Sequence, residues 1–232
     1  MSTVAAFSGG KDSTAMVLLM HEAGEQFDLL FTPTGDESAA AIAHVKTVAD
    51  RIGKQVSLAW SGDTLSTLIH KWNALPNWRQ RWCTRALKIE PAKAYLLDRP
   101  GSTLCVGLRA DEPEREGLWG SFATYRYPLR DAGMGLEDVI AFLNARDVCV
   151  PQRTDCELCF FQRLIEWYEL WRDQPEKYAQ GEALEASTAH TFRSPGRDTW
   201  PASLAGLRAE FEAGRIPKDT RQREGMCRVC SL

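Results

Sequence analysis

The chain has 232 residues, of which 44% are hydrophobic, and it carries a formal net charge of −3. The length fits one domain, or one domain with a small appendage. The charge gives no overall nucleic-acid-binding signature, and no apolar run approaches the 18 residues of a transmembrane helix. Seven cysteines and a start without a signal-peptide pattern predict a reducing, cytoplasmic location.

The first motif is a glycine-rich turn between an apolar run at 4–7 and a predicted helix that begins near residue 12. Its residues are Ser8, Gly9, Gly10, Lys11, Asp12 and Ser13. The glycines let the backbone approach an anion, and the helix N-terminus adds free N–H groups and the positive end of its dipole. The turn matches neither the Walker A pattern nor the dinucleotide fingerprint. It therefore predicts a phosphate-binding loop of another class.

Strands and helices alternate through residue 150. Strands are predicted at 27–32, 55–60, 103–108 and 125–129, and helices at 38–52, 63–72 and 136–143. Ser38 is a predicted helix cap, and Ile42, Val45, Ala49 and Ile52 recur at helical spacing behind it. The alternation predicts a parallel, doubly wound, Rossmann-like α/β sheet over 1–150. Asp36 is expected at the carboxyl edge of this sheet, where such sheets bind ligands.

Residues 151–232 are predicted to be mostly helical, to bear cysteines and to pack on the first domain. A helix from about 159 to 172 is expected to bury Phe161, Leu164, Ile165, Tyr168 and Trp171. Further helices are predicted at 175–190 and 202–214, and the basic tail at 215–232 follows them.

Positive charge collects in two places. Arg79, Arg81, Arg85, Lys88 and Lys93 face only Glu90 as local opposition. Such a region suits a polyanionic nucleotide, and the alternative is a solvated helix face whose long side chains reach water. Arg109 and Arg115 follow the predicted strand at 103–108 and are expected beside the phosphate-binding loop.

Two C-x-x-C pairs, Cys156/Cys159 and Cys227/Cys230, are separated by 67 residues. Each pair can direct two thiolates at one metal ion, but the separation is too long for a single zinc ribbon. The pairs could converge on a structural Zn²⁺, or the tail pair could be a redox or sulfur-carrying dithiol. Cys105 is expected in the core.

The S-G-G-x-D-S pattern at 8–13 resembles the signature of the PP-loop ATP pyrophosphatases, which have an adenine nucleotide alpha-hydrolase-like fold. Two further patterns resemble the phosphoadenylyl-sulfate and adenylyl-sulfate reductase branch of that superfamily. They comprise Arg81, Cys83, Lys88, Pro91, Gly107, Arg109, Glu112 and Arg115. The resemblance implies that the loop, Lys88 and the two later arginines bind an adenine nucleotide.

The resemblance also implies cofactors. An intact loop implies ATP and Mg²⁺, with Lys11, Arg109 and Arg115 stabilising charge as pyrophosphate leaves and Asp12 helping to place Mg²⁺. A [4Fe–4S] cluster is implied at Cys156 and Cys159. Two of Cys83, Cys227 and Cys230 would complete its ligands, because residue 82 is Trp where the family has a further Cys.

The leading hypothesis is an ATP-using, reductase-like enzyme of sulfur metabolism that activates an acceptor and lets sulfur enter. Its partner would be a nucleic acid to be thiolated or a sulfur-donor protein. One alternative is a true reductase that releases sulfite and depends on a thioredoxin-like reductant. Another is a nucleotide-binding regulatory protein with structural zinc. The sequence leaves the acceptor and the oligomeric state open.

Overall fold

The computed structural model describes residues 2–115 and 123–219. Within these residues, five strands form one parallel sheet in the order β3-β2-β1-β4-β5. The strands are β1 Thr3–Ala6, β2 Asp28–Phe31, β3 Val56–Leu58, β4 Thr103–Cys105 and β5 Thr124–Arg126. This architecture confirms the predicted α/β fold.

Helices cover both faces of the sheet and make up the region after it. They are α1 Lys11–Glu22, α2 Ala39–Arg51, α3 Leu65–Trp72, α4 Trp82–Thr84, α5 Glu90–Leu97, α6 Pro128–Asp131, α7 Leu136–Asn144, α8 Leu164–Asp173, α9 Pro175–Thr188 and α10 Leu204–Glu212. A π-helical turn, Arg85–Ile89, joins α4 to α5. No helix of the described ranges is both long and apolar enough to cross a bilayer.

The sheet has its topological switch at β1. The chain runs outward through β2 to β3 and then returns to place β4 on the other side of β1. Open α/β sheets bind ligands outside the carboxyl ends of their strands at such a switch. The glycine-rich loop at 8–13 follows β1 directly and therefore lies at this position.

Three apolar clusters build the core. One joins α1, α2 and α7 to one face of the sheet, and a second joins α5 to the other face. The third packs α3 and the π-helical turn against α8, α9 and α10, around the fully buried Trp167 and Tyr178. The C-terminal helices thus share a core with segments that precede β4.

The predicted helix from 159 to 172 begins later than expected, at Leu164. The amides of Glu157 and Leu158 are held by the backbone and carboxylate of Asp36, at 2.8 Å each. These bonds keep the preceding segment out of helical geometry. The fully buried residue of α8 is Trp167, whereas the predicted inward residues Tyr168 and Trp171 are only partly buried.

Two smaller expectations were also wrong. The strand predicted at 103–108 ends at Cys105, because the chain leaves the ladder to pack on α1. The strand predicted at 125–129 ends at Arg126, because Pro128 starts α6.

Candidate functional site

The glycine-rich loop is a tight connection between β1 and α1. Gly9 has φ +76°, and a Cβ there would lie 2.8 Å from Val45 Cγ2, so the position requires glycine. Gly10 is the N-cap residue of α1 and has no side chain with which to cap it. The Ser13 hydroxyl braces the turn by donating to the Gly10 carbonyl at 3.0 Å and accepting from the Ser8 amide at 3.3 Å. The first amides of α1, like those of any helix, have no intrahelical acceptor.

Three charged groups converge behind this loop. Lys11 and Asp12 are 4% and 3% exposed, and Lys11 Nζ lies 3.0 Å from Asp12 Oδ2. Arg109 reaches the same oxygen at 3.1 Å. The other oxygen, Asp12 Oδ1, is buried and has no hydrogen-bond partner among the described residues. Two cations are therefore held on one carboxylate at the N-terminus of α1.

The network continues from Arg109 to the far end of its loop. Arg109 pairs with Asp111 at 2.8 Å and with Glu112 at 3.4 Å, and Arg115 pairs with Glu112 at 2.7 Å. Burial disfavours the charged form of Arg109, but its bond to Asp111 and the charges of Asp12 and Glu112 raise its pKa overall. Arg109 consequently stays protonated. Glu112 bridges Arg115 to Arg109, which in turn contacts Asp12 at the glycine-rich loop.

Two contacts that were not predicted from the sequence position the segment around Arg109, which follows β4. A Cβ on Gly107 would lie 3.0 Å from backbone atoms of Asp12 and Ser13, so glycine allows the end of β4 to touch the first turn of α1. Arg130 on α6 donates to the carbonyls of Arg109 and Arg115, at 3.2 and 2.5 Å, and to that of Glu112. Gly107 stands in a pattern recognised in the sequence, but that pattern does not reveal this contact, and no local pattern indicates the role of Arg130.

His44 lies beneath the glycine-rich loop and was not singled out as a functional residue from the sequence. Its Nε2 lies 3.1 Å from the Thr14 hydroxyl, and its Cδ2 would be 3.6 Å from a Cβ on Gly9. Burial lowers the pKa of His44. It therefore packs under the loop as a neutral, hydrogen-bonded ring.

Asp36 lies at the carboxyl edge of β2, as expected, but its carboxylate is engaged by the protein. One oxygen accepts the Leu158 amide at 2.8 Å, and the other pairs with Lys177 on α9. Burial raises the pKa of Asp36, although the bonds from Lys177 and Leu158 act in the opposite direction. The geometry makes Asp36 an anchor for the segment that carries the first C-x-x-C pair.

Three predicted ligand residues, Cys83, Cys156 and Cys159, line one pocket of about 400 Å³ including its open mouth. Lys88, predicted to bind nucleotide, lines the same pocket. The Cys156 thiol hydrogen-bonds the Thr34 hydroxyl at 3.2 Å. The remaining lining residues are Leu65, Pro76, Thr84, Leu87, Leu158, Phe160 and Phe161.

The pocket does not by itself amount to a metal site. In residues 2–115 and 123–219, no three His, Cys, Asp or Glu side chains are close enough together to hold a metal ion. The other predicted ligands, Cys227 and Cys230, lie outside the described residues. Cys105 is fully buried and burial raises the pKa of its thiol to about 11, as befits a core residue.

The parallel sheet with a glycine-rich loop at its switch point defines a Rossmann-like α/β protein. The family model of the phosphoadenosine phosphosulfate reductase domain matches residues 2–120, and the chain belongs to that family. The match includes the loop, Cys83, Lys88, Arg109 and Arg115. Cys156 and Cys159 lie beyond it.

Two uncharacterised proteins of Methanocaldococcus jannaschii are 32% and 29% identical to this chain over 90 and 92 residues. Each match covers 39% of this chain. The chain spans only about a fifth of these relatives, 21% and 19%. The fold is similar to that of a phosphoadenylyl-sulfate reductase from Candida auris solved with phosphate, with a TM-score of 0.53. That similarity covers 66% of this chain and 76% of the other, at 15% identity.

Proposed function

We propose that the chain is an ATP-using enzyme of this family that handles sulfur. It binds ATP with Mg²⁺ and transfers the adenylyl group to an acceptor, releasing pyrophosphate. The observation that carries the proposal is the buried convergence of Lys11 and Arg109 on Asp12, directly behind an intact phosphate-binding loop. Two cations in a largely desolvated place interact strongly with an anionic ligand.

The chemistry follows from these positions. Phosphate oxygens would bind the amides of Gly9, Gly10 and Lys11, and Arg109 would stabilise the departing charge. An acceptor oxygen forms a bond to the α-phosphorus while the bond to the bridging α–β oxygen breaks, and pyrophosphate carries away the electron pair. Asp12 is the candidate group for Mg²⁺, because one of its oxygens is buried without a partner in the described part of the chain.

The cysteine pocket would serve the sulfur step. Cys83, Cys156 and Cys159 are the candidate ligands of a [4Fe–4S] cluster, with Zn²⁺ as the alternative, and a tail cysteine would complete the set. The acceptor would be a nucleic acid, or sulfur would arrive from a donor protein. Anaerobic purification followed by iron, sulfide and zinc analysis decides which metal is bound. A metal-free protein would contradict this part of the proposal.

Pyrophosphate release from ATP and Mg²⁺ is the direct test. Lys11→Ala should abolish the release because it removes a buried cation from the phosphate site. Lys46→Ala is the matched control, since Lys46 is a 76% exposed lysine on α2, and it should leave the rate unchanged. Sulfite release from adenylyl sulfate without ATP, driven by thioredoxin, would overturn the proposal.

That contrary result would support the second candidate function, a phosphoadenylyl- or adenylyl-sulfate reductase. The family match and the fold shared with the Candida auris enzyme favour it. A cysteine of the tail would then be the nucleophile that attacks sulfur. Cys227→Ser or Cys230→Ser should then stop sulfite release without preventing nucleotide binding.

A further inference from the structure

An exposed stretch of aromatic and basic side chains borders the cysteine pocket. It runs from residue 72 to residue 85, and we call it the aromatic–basic segment. Trp78 and Trp72 in it are 60% and 45% exposed. Scattered exposed apolar residues are ordinary, but large aromatic rings among cations on a surface indicate a binding role.

The protein holds these rings in place before any ligand arrives. Asn77 Oδ1 accepts the amides of Arg79 and Gln80, at 3.0 and 2.9 Å, and closes a turn that presents Trp78. Trp72 packs edge-on against Trp82, with ring centroids 4.8 Å apart. Ordered rings lose little conformational entropy on binding, which favours affinity.

The charged residues of the aromatic–basic segment are all basic. The guanidinium of Arg79 lies 4.7 Å from the centroid of the Trp78 ring, and within the described ranges it makes no ion pair. Among the described residues, Arg85 forms an ion pair with the exposed Glu90, at 3.4 Å, and such exposed pairs are weak. Both cations are therefore available to phosphate groups beside the aromatic faces.

The segment leads directly into the site. Cys83 on α4 lines the cysteine pocket, as does Pro76. Arg81 lies over the ring of Phe161, another residue that lines the pocket, 5.3 Å from its centroid. A polymer that lay along residues 72–85 would have one of its units at the mouth of the pocket.

We propose that the aromatic–basic segment binds single-stranded nucleic acid. Unpaired bases stack on Trp72 and Trp78, and Arg79 and Arg85 contact the phosphates. Stacking platforms interleaved with cations are the physical signature of single-strand binding, whereas the bases of a duplex are already stacked on each other. The inference rests on the proposed function in one respect: the bound strand would be the acceptor in that reaction.

The test measures binding of fluorescein-labelled twelve-nucleotide oligo(dT) and oligo(U) to the full chain by fluorescence anisotropy. Trp78→Ala should weaken binding about 5- to 150-fold, the usual effect of losing one stacking ring. Trp60→Ala is the matched control, because Trp60 is 46% exposed but lies outside the segment. A duplex of the same length should compete poorly.

Salt dependence tests the phosphate contact separately. Arg79→Ala should reduce the slope of log K against log salt concentration by about one. Arg99→Ala, which removes an exposed arginine stacked on Tyr95 at 3.7 Å, should leave the slope unchanged.

The outcomes separate the two proposals. If Trp78→Ala loses the oligonucleotide but still releases pyrophosphate from ATP, the segment is a nucleic-acid site distinct from the nucleotide site. If the oligonucleotides do not bind, or bind Trp78→Ala and Trp60→Ala equally well, the segment proposal is overturned and the ATP-dependent activity is unaffected. Oligonucleotide binding by a chain that does not use ATP would support the segment and contradict the proposed function.

Discussion

At the scale of single residues, the site is a small cluster of opposite charges withdrawn from water. Lys11 and Arg109 share one oxygen of Asp12, and Arg109 spans from there to Glu112. Removing one partner of a buried pair leaves the other charge desolvated and uncompensated. The energies of these side chains are consequently coupled.

This coupling is measurable with a double-mutant cycle of Asp12→Asn and Arg109→Gln. Arg109→Gln should destabilise the protein more when Asp12 is a carboxylate than when it is an amide, with a coupling of about 1–3 kcal/mol in urea denaturation. The cycle of Lys46→Ala and Asp50→Ala is the control, because both side chains are more than 60% exposed and such helical pairs contribute about 0.3–0.5 kcal/mol. Additive effects at the buried pair would contradict the prediction.

The residues of the site differ in how far a pattern can find them. Lys11 and Arg109 stand in motifs that follow strands, so their approach is foreseeable from where parallel strands end. Arg130 and His44 act on the same loops from other elements, across 21 and 30 residues. Only the folded chain brings them there. Asp36 was correctly expected at the edge of the sheet, but its partner Lys177 is 141 residues away.

At the scale of elements, local chemistry explains the start of α2. Ser38 caps α2 by accepting the amide of Ala41 at 3.1 Å, as its sequence position indicated. The start of α8 was misplaced because helical periodicity extends back to Phe161, whereas the amide of Leu158 is bonded to a distant carboxylate. Periodicity reports which side chains are apolar, and it contains no information about such long-range bonds.

At the end of α9, replacing Ala189 should increase the stability of the protein. It is exposed and has φ +54°, a conformation that costs a residue with a Cβ about 1–2 kcal/mol. Ala189→Gly should therefore raise the free energy of unfolding by about 0.5 kcal/mol, after the backbone entropy of glycine is subtracted. Ala183→Gly, at an exposed position inside the same helix, should lower it by about 1 kcal/mol. Urea denaturation measures both, and equal signs would refute the assignment of the cap.

At the scale of the whole molecule, the sheet and the C-terminal helices are joined by polar and apolar contacts. Asp36, which follows β2, accepts a hydrogen bond from the amide of Leu158 and forms an ion pair with Lys177 on α9. The buried side chains of α3 pack in one cluster with those of α8, α9 and α10. The division into 1–150 and 151–232 is a prediction from the chain order, and the shared cluster argues that the two parts unfold together.

Lys177→Ala tests the contact between Asp36 and α9, and its effect on the free energy of unfolding should depend on pH. Burial raises the pKa of Asp36 in the folded state, and Lys177 limits that rise, so the variant should raise it further. When the pKa of a carboxyl is higher in the folded than in the unfolded state, the group does not lower the free energy of unfolding below the unfolded pKa, near 3.9. The cost grows as pH rises toward the folded value. The variant should therefore lose more stability at pH 7.5 than at pH 4.5, measured by urea denaturation.

The same experiment decides whether the molecule is one cooperative unit. Far-UV circular dichroism follows all helices, whereas tryptophan fluorescence includes the buried Trp167 of the C-terminal cluster. The two transitions should coincide in the native chain and shift together in Lys177→Ala, as two-state unfolding requires. Lys46→Ala should leave the midpoint in place at both pH values. A fluorescence transition that precedes the loss of helix would instead make residues 151–219 a separately unfolding part, with Asp36 and Lys177 as a contact between two domains.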